Sequence, residues 1–229
     1  MMTRIYLKFS VLSFVIFMAV ALLIRTQPYD ERAPIAVLVP ITCRTPCFMG
    51  IRPSVTTIDE AITLLKKNDW VSHVIVLPNE IHPNQVGWLW SQKAPDYMQR
   101  GGAYVDGQIL PNVNRKVSSI WFSTSLKAGD IPSILGDPQE DGLIVAGLYM
   151  PPHDPRMKLL VELWYPTYHL WMNIDQSCPY DADFWQMPVR ISITDYDART
   201  AVRTMGVEKV AHPQLLSTLR RLSLQVCGF

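Results

Sequence analysis

Residues 43–70 read CRTPCFMGIRPSVTTIDEAITLLKKNDW. This stretch decides the fold, because the clearest helix of the chain follows directly on a closely spaced cysteine pair. Thr57 with Glu60 three residues later fits the capping box, in which a threonine hydroxyl and a glutamate carboxylate reciprocally satisfy free backbone N–H groups of the first turn. Ile58, Ala61, Ile62 and Leu65 fall at i, i+3, i+4 and i+7 on one face, and Asp59, Glu60, Lys66 and Lys67 stay off it. Acid opens the helix and base closes it, as the macrodipole favours. Asn68 is a plausible stop, since asparagine tolerates the left-handed geometry that ends many helices.

Working outward, the pattern returns in weaker form at residues 125–138, SLKAGDIPSILGDP. A second, shorter helix is expected there, with Asp130 as cap, Pro132 tolerated in the first turn, and Gly136 and Pro138 as the stop. Ile131, Ile134 and Leu135 supply its apolar face. After the first helix come Val71 to Leu77, Val86 to Ser91, Tyr104 to Leu110 and Val117 to Ser123. Leu143 to Tyr149, Leu159 to Tyr165, Tyr168 to Ile174 and Val189 to Thr194 follow the second. These short runs rich in Val, Ile, Tyr and Trp, punctuated by Pro, Asn and Gly, read as antiparallel strands. Both the helix starts and the fourth strands are offset by about seventy residues, and a repeated helix followed by four strands is the simplest account.

The amino terminus carries a different signal. Phe9 to Ile24 is a mostly apolar run of sixteen residues without charge, and it reaches twenty from Ile5 if Lys8 extends its ammonium toward lipid headgroups. Ala19 and Ala21 form an A-x-A inside that run rather than after it, so an uncleaved anchor is expected in preference to a cleaved signal peptide. Arg4, Lys8 and the terminal amine would then stay cytoplasmic. The implied placement is the cell membrane, crossed once through residues 5–24, with the C-terminal domain outside the cytoplasm. Ile35 to Val39 is expected as a short strand. His212 to Phe229 is expected as an amphipathic helix lined by Leu215, Leu216, Leu219 and Leu222.

Charge narrows the partners. The chain has 21 Lys and Arg against 20 Asp and Glu, and setting aside Arg4, Lys8 and Arg25 leaves 18 against 20. That balance argues against a nucleic-acid-binding surface, which needs a clustered basic excess. Exported cysteines generally oxidise, and Cys43, Cys47, Cys178 and Cys227 allow three connectivities. The expected pairs are Cys43 with Cys47, by proximity, and Cys178 with Cys227. A lone C-x3-C is weak evidence for zinc.

Two stretches carry a resemblance. GIRPSVTTIDEAITLLKKND resembles the start of the BamE/SmpA (OmlA) outer-membrane lipoproteins, where a Gly-x-Thr element opens a helix that ends near Leu-Gly-x-Pro. SLKAGDIPSILGDP resembles the end of the same pattern through Leu135, Gly136, Asp137 and Pro138. The resemblance covers about thirty-five residues and then the order of elements. Asn68 and Asp69 stand where its first copy would end in Gly-Pro, Ser54 replaces the usual glycine, and the lipidated cysteine is absent. It implies helices packed on antiparallel sheets, in a tandem similar to that of the secreted β-lactamase-inhibitor proteins. The implied role is extracytoplasmic binding or scaffolding with no catalytic residue.

The expected fold is therefore α+β: an N-terminal transmembrane helix, then two tandem units of a helix packed on a four-stranded antiparallel sheet, with a C-terminal helix. Residues 1–25 would be the membrane anchor, 26–42 a tether, 43–124 the first unit and 125–229 the second. Trp88 and Trp90, which share a strand face, form a candidate binding surface together with Trp164 and Trp171, although core packing is the plainer account of the first pair. The five histidines have no metal-ligand spacing, and no phosphate loop, dinucleotide fingerprint or nucleophile elbow occurs, so no metal or cofactor is expected. Two readings of function follow. The first is a membrane-anchored, non-catalytic binding or scaffolding protein of the cell envelope, with an envelope protein as partner. The alternative is an exported hydrolase or ligand-binding enzyme whose site gathers distant residues such as His153, His169 and Asp195.

Overall fold

The computed structural model describes residues 11–20, 22–23, 32–40, 43–77, 84–99, 104–136, 144–149, 158–177, 183–195, 208–209, 217 and 220–221. The chain divides into units 1–33 and 34–229. In the first, residues 11–20 and 22–23 are helical with exposed side chains. Among the described residues no helix is long and apolar enough to cross a membrane. A ten-residue helical run such as 11–20 rises only about 15 Å, and a bilayer core is roughly 30 Å thick. That finding overturns the transmembrane helix, the signal anchor and the single-pass placement at the cell membrane.

The short strand expected at Ile35 to Val39 is also corrected, because helix α1 occupies Arg32–Leu38. Pro34 suits a first turn, where its missing N–H is no loss. Leu38 is 2% exposed, so burial of one end of this turn overrides the β-branched bias of IAVLV.

Helix α2, Ile58–Lys67, forms as the sequence indicates. The Glu60 N–H donates to Thr57 Oγ1 at 3.3 Å and the Thr57 N–H donates to Glu60 Oε2 at 2.9 Å. Ile58, Ala61 and Leu65 are buried. Asn68 ends the helix in extended rather than left-handed geometry, with φ −86°, and its Oδ1 accepts the Trp70 N–H at 2.9 Å to turn the chain into the sheet. Helix α3, Asp130–Leu135, is shorter. Gly129, not Asp130, is its cap, and the Asp130 carboxylate instead accepts the Lys127 N–H at 2.8 Å.

The strands are β1 Val71–Leu77, β2 Gln85–Trp90, β3 Gly107–Pro111, β4 Val117–Lys127, β5 Ile144–Tyr149, β6 Lys158–Tyr165, β7 Leu170–Ser177, β8 Pro188–Thr194 and β9 Glu208–Lys209. They form one sheet in the order β1-β2-β3-β4-β8-β7-β6-β5-β9, antiparallel throughout. The two separate four-stranded sheets expected from the repeat are thus corrected to a single nine-stranded sheet. The join is β4 with β8, where Ser119, Ile120, Trp121, Phe122 and Ser123 face Thr194, Ile193, Ser192, Ile191 and Arg190. Pairing the two long edges removes two rows of unpaired N–H and C=O groups that separate units would leave open. The helices do not repeat either, since α2 packs on β1 and β2 whereas α3 packs on β4. The C-terminal helix expected at His212 to Phe229 lies almost wholly outside the described residues, of which 217, 220 and 221 are helical.

The main core lies on one face of this sheet. Trp88, Gly107, Phe122, Ile191, Met172 and Leu163 follow one another across six strands in direct register. Gly107 carries no Cβ because the Trp88 indole occupies that space. Phe48 stacks on Phe122 with ring centroids 4.4 Å apart. The Cys43–Cys47 disulfide ties down the loop immediately before Phe48.

Candidate functional site

Side chains alternate across a strand, so the residues between those of the core row point to the opposite face. Two further rows emerge there. One runs Trp121, Ser192, Trp171, Trp164 and the other Ser123, Arg190, Asn173, Glu162, across β4, β8, β7 and β6. A sheet face turned from the core ordinarily carries solvated polar side chains. Here several are buried: Trp164 is 5% exposed, Trp171 6%, Asn173 5% and Ser192 1%.

Asn173 is the centre of this arrangement. Among the described residues neither its Nδ2 nor its Oδ1 has a hydrogen-bond partner, and the Ser192 hydroxyl and His169 Nδ1 are likewise buried without one. Such groups are rare in folded proteins, because an amide taken from water without a replacement bond costs roughly 1–3 kcal/mol. Asn173 lines a recess of about 120 Å³ together with Gln99, Ser123, Asp175, Pro188 and Arg190. The Gln99 N–H donates to the Ser123 carbonyl at 3.0 Å, which holds the loop at the rim. A space of this size takes several waters or one functional group of a ligand.

The electrostatics are mixed. Arg190 and Asp175 form an ion pair at 3.5 Å with side chains 48% and 22% exposed, so its Coulomb energy is largely screened. Glu162, directly across the ladder from Asn173, has its carboxyl pushed above the ordinary range by burial and, secondarily, by the Asp175 charge. The recess therefore offers an amide with both a donor and an acceptor and a guanidinium at the rim, and Glu162 stands beside Asn173 outside its lining.

The residues singled out from sequence fall in three places. Trp88 and Trp90 belong to the main core, 0% and 5% exposed, with Trp90 meeting Phe48 and Phe122 edge-on. Trp164 and Trp171 lie on the opposite face with rings 5.0 Å apart, and His169 stands 6.2 Å from Trp164. None of the four forms an exposed surface. Cys43 and Cys47 are bonded. Cys178, Cys227 and His153 lie outside the described residues. His169 and Asp195 do not line the recess; the His169 carbonyl accepts the N–H of Thr194, the residue before Asp195, at 3.2 Å. Among the described residues no group of three His, Cys, Asp or Glu is placed to hold a metal.

Sequence reasoning missed Asn173, Ser192, Arg190 and Glu162. The available signal was alternation: in LWMNIDQS and KLLVELWY the polar residues Asn173, Asp175 and Glu162 fall on the face of Trp171 and Trp164. Which strands lie side by side, and hence which residues meet, was not in those strings. Compared with family models, curated proteins and solved structures, the chain matches none.

Proposed function

We propose that this protein is a non-catalytic binding module whose recess between β4, β8 and β7 takes up an amide group of a protein partner. The supporting observation is Asn173, whose carboxamide is buried beside a cavity with neither polar atom bonded among the described residues. A ligand carboxamide or peptide group completes both bonds at once, its C=O accepting from Nδ2 and its N–H donating to Oδ1. A carboxylate satisfies only Nδ2, with Arg190 as a second donor. The aromatic pair Trp164 and Trp171 stiffens the neighbouring strands, since large rings packed across a ladder restrict its side-chain freedom.

Nuclear magnetic resonance of the Asn173 side-chain amide tests this reading. Titration with N-acetyl-glutamine-amide should shift the Asn173 Nδ2 resonances saturably, and acetate should do so more weakly. Asn173→Leu should remove the response of neighbouring Ser123 and Arg190 while leaving the rest of the spectrum in place. Resonances at Asn173 that ignore both probes would overturn the assignment of the recess as a ligand site.

A further inference from the structure

Strand β1 is one edge of the sheet, and among the described residues no strand lies on its outer side. Its sequence, VSHVIVL, contains no Lys, Arg, Asp, Glu or Pro. Those are the residues with which sheet edges ordinarily discourage pairing. Val76 is 57% exposed and Ile75 36%. An uncharged, β-branched edge of this kind is a template for another strand.

The backbone says which groups face outward. The Asp106 N–H donates to the Trp88 carbonyl at 2.9 Å, so Trp88 directs its hydrogen-bonding groups toward β3. In an antiparallel ladder a residue's N–H and C=O point to the same side. Val74, opposite Trp88 in the β1–β2 register, therefore directs both groups away from β2, and so does Val76 two residues on. The irregularity in this register falls between Val71 and His73, leaving His73 to Leu77 as regular edge.

We propose that β1 pairs antiparallel with β1 of a second copy of this chain, about a two-fold axis at Ile75. In that register Val74 of each chain faces Val76 of the other, so the outward groups of both residues meet as two hydrogen-bonded pairs. Ile75 faces its own symmetry mate in the intervening non-bonded pair, where side chains approach most closely. His73 faces Leu77, so the titratable side chains are kept apart. Centring the axis on Val74 instead brings Ser72, beside the irregularity, into the ladder. A head-to-tail arrangement would have to use the other edge, where, among the described residues, β9 offers Glu208 and Lys209. A closed, isologous pair is what the two unequal edges favour.

Sedimentation of the chain over a range of concentrations should show a reversible monomer–dimer equilibrium. Ile75→Lys and Ile75→Glu each place like charges opposite one another, and each should weaken dimerisation by tenfold or more, whereas mixing the two variants should restore a heterodimer. Near-ultraviolet circular dichroism establishes that each variant is folded. Should either fail to fold, Ile75→Cys gives the second readout: it should form an intermolecular disulfide on mild oxidation, and Val76→Cys should do so far less. A wild-type chain that stays monomeric at its highest soluble concentration overturns the proposal, as do variants that dimerise like the wild type. A monomer that instead adds an unrelated extended peptide at β1 overturns it too.

Discussion

Glu162 stands directly opposite Asn173 in the β6–β7 ladder, on the face turned away from the main core. Burial raises the Glu162 carboxyl above its ordinary value of 4.5, and the charge of Asp175 adds to the effect. The folded state therefore holds this proton more tightly than the unfolded chain does. The resulting stabilisation is full below about pH 4.5 and is lost as pH rises through the folded value. Glu162→Gln should accordingly raise the urea midpoint at neutral pH, with the difference from wild type vanishing in acid. Equal midpoints at both extremes would contradict the burial of this carboxyl.

Asn173→Leu should stabilise the protein by about 1 kcal/mol, because two unsatisfied polar atoms are exchanged for apolar atoms of similar volume. Urea unfolding should show a higher midpoint at unchanged slope. A loss of stability would mean that the native amide is bonded after all.

Gly107 and Trp88 occupy one space. A Cβ at Gly107 runs into the Trp88 indole, whose own exposure is 0%, so Gly107→Ala should destabilise by about 1–3 kcal/mol through overpacking. Trp88→Leu alone should be destabilising by a few kcal/mol as a cavity mutation. Because the second change makes room for the first, the double variant should be more stable than the sum predicts, by about 1 kcal/mol or more. Additive values from chemical denaturation would show that the two do not share this space.

Thr57→Ala removes the hydroxyl arm of the box at the start of α2, leaving the backbone N–H bond to Glu60, and should destabilise by about 1 kcal/mol. The Thr57 backbone and hydroxyl, in that order, hold the Glu60 carboxyl below its ordinary value of 4.5. In the variant the backbone contribution stays and the hydroxyl contribution goes, so the carbon-detected titration of Glu60 should move only part of the way back toward that value. A Glu60 midpoint unaffected by the substitution would show that the hydroxyl–carboxylate bond of the box is not formed in solution.

The elements themselves were largely legible. Period-two alternation marks a strand wherever one face is buried, and eight of the nine strands lie where the sequence places them within a few residues. Helix α2 was legible because Thr57, Glu60 and the Ile58, Ala61, Leu65 face agree on one answer. Helix α1 was not, because IAVLV reads as strand until Pro34 and Leu38 find burial. Phe9 to Ile24 misled in the other direction: its length and greasiness suggest a span, and the described helical residues do not amount to one. The tryptophans were noticed for their size, which is a reason to be inside at least as much as a reason to bind.

By itself the sequence determined, to within a few residues, where eight of the strands lie, how α2 is capped, and that Cys43 lies near enough to Cys47 to bond. All of these depend on groups a few residues apart. Only the tertiary structure decided that β4 runs beside β8, making one sheet of two expected ones and lining up Glu162, Asn173, Arg190 and Ser123. Backbone N–H and C=O groups are alike at every position, so no local string names their partner. The choice is made by burial summed over the whole sheet, where a slip of one residue would turn every side chain to the wrong face.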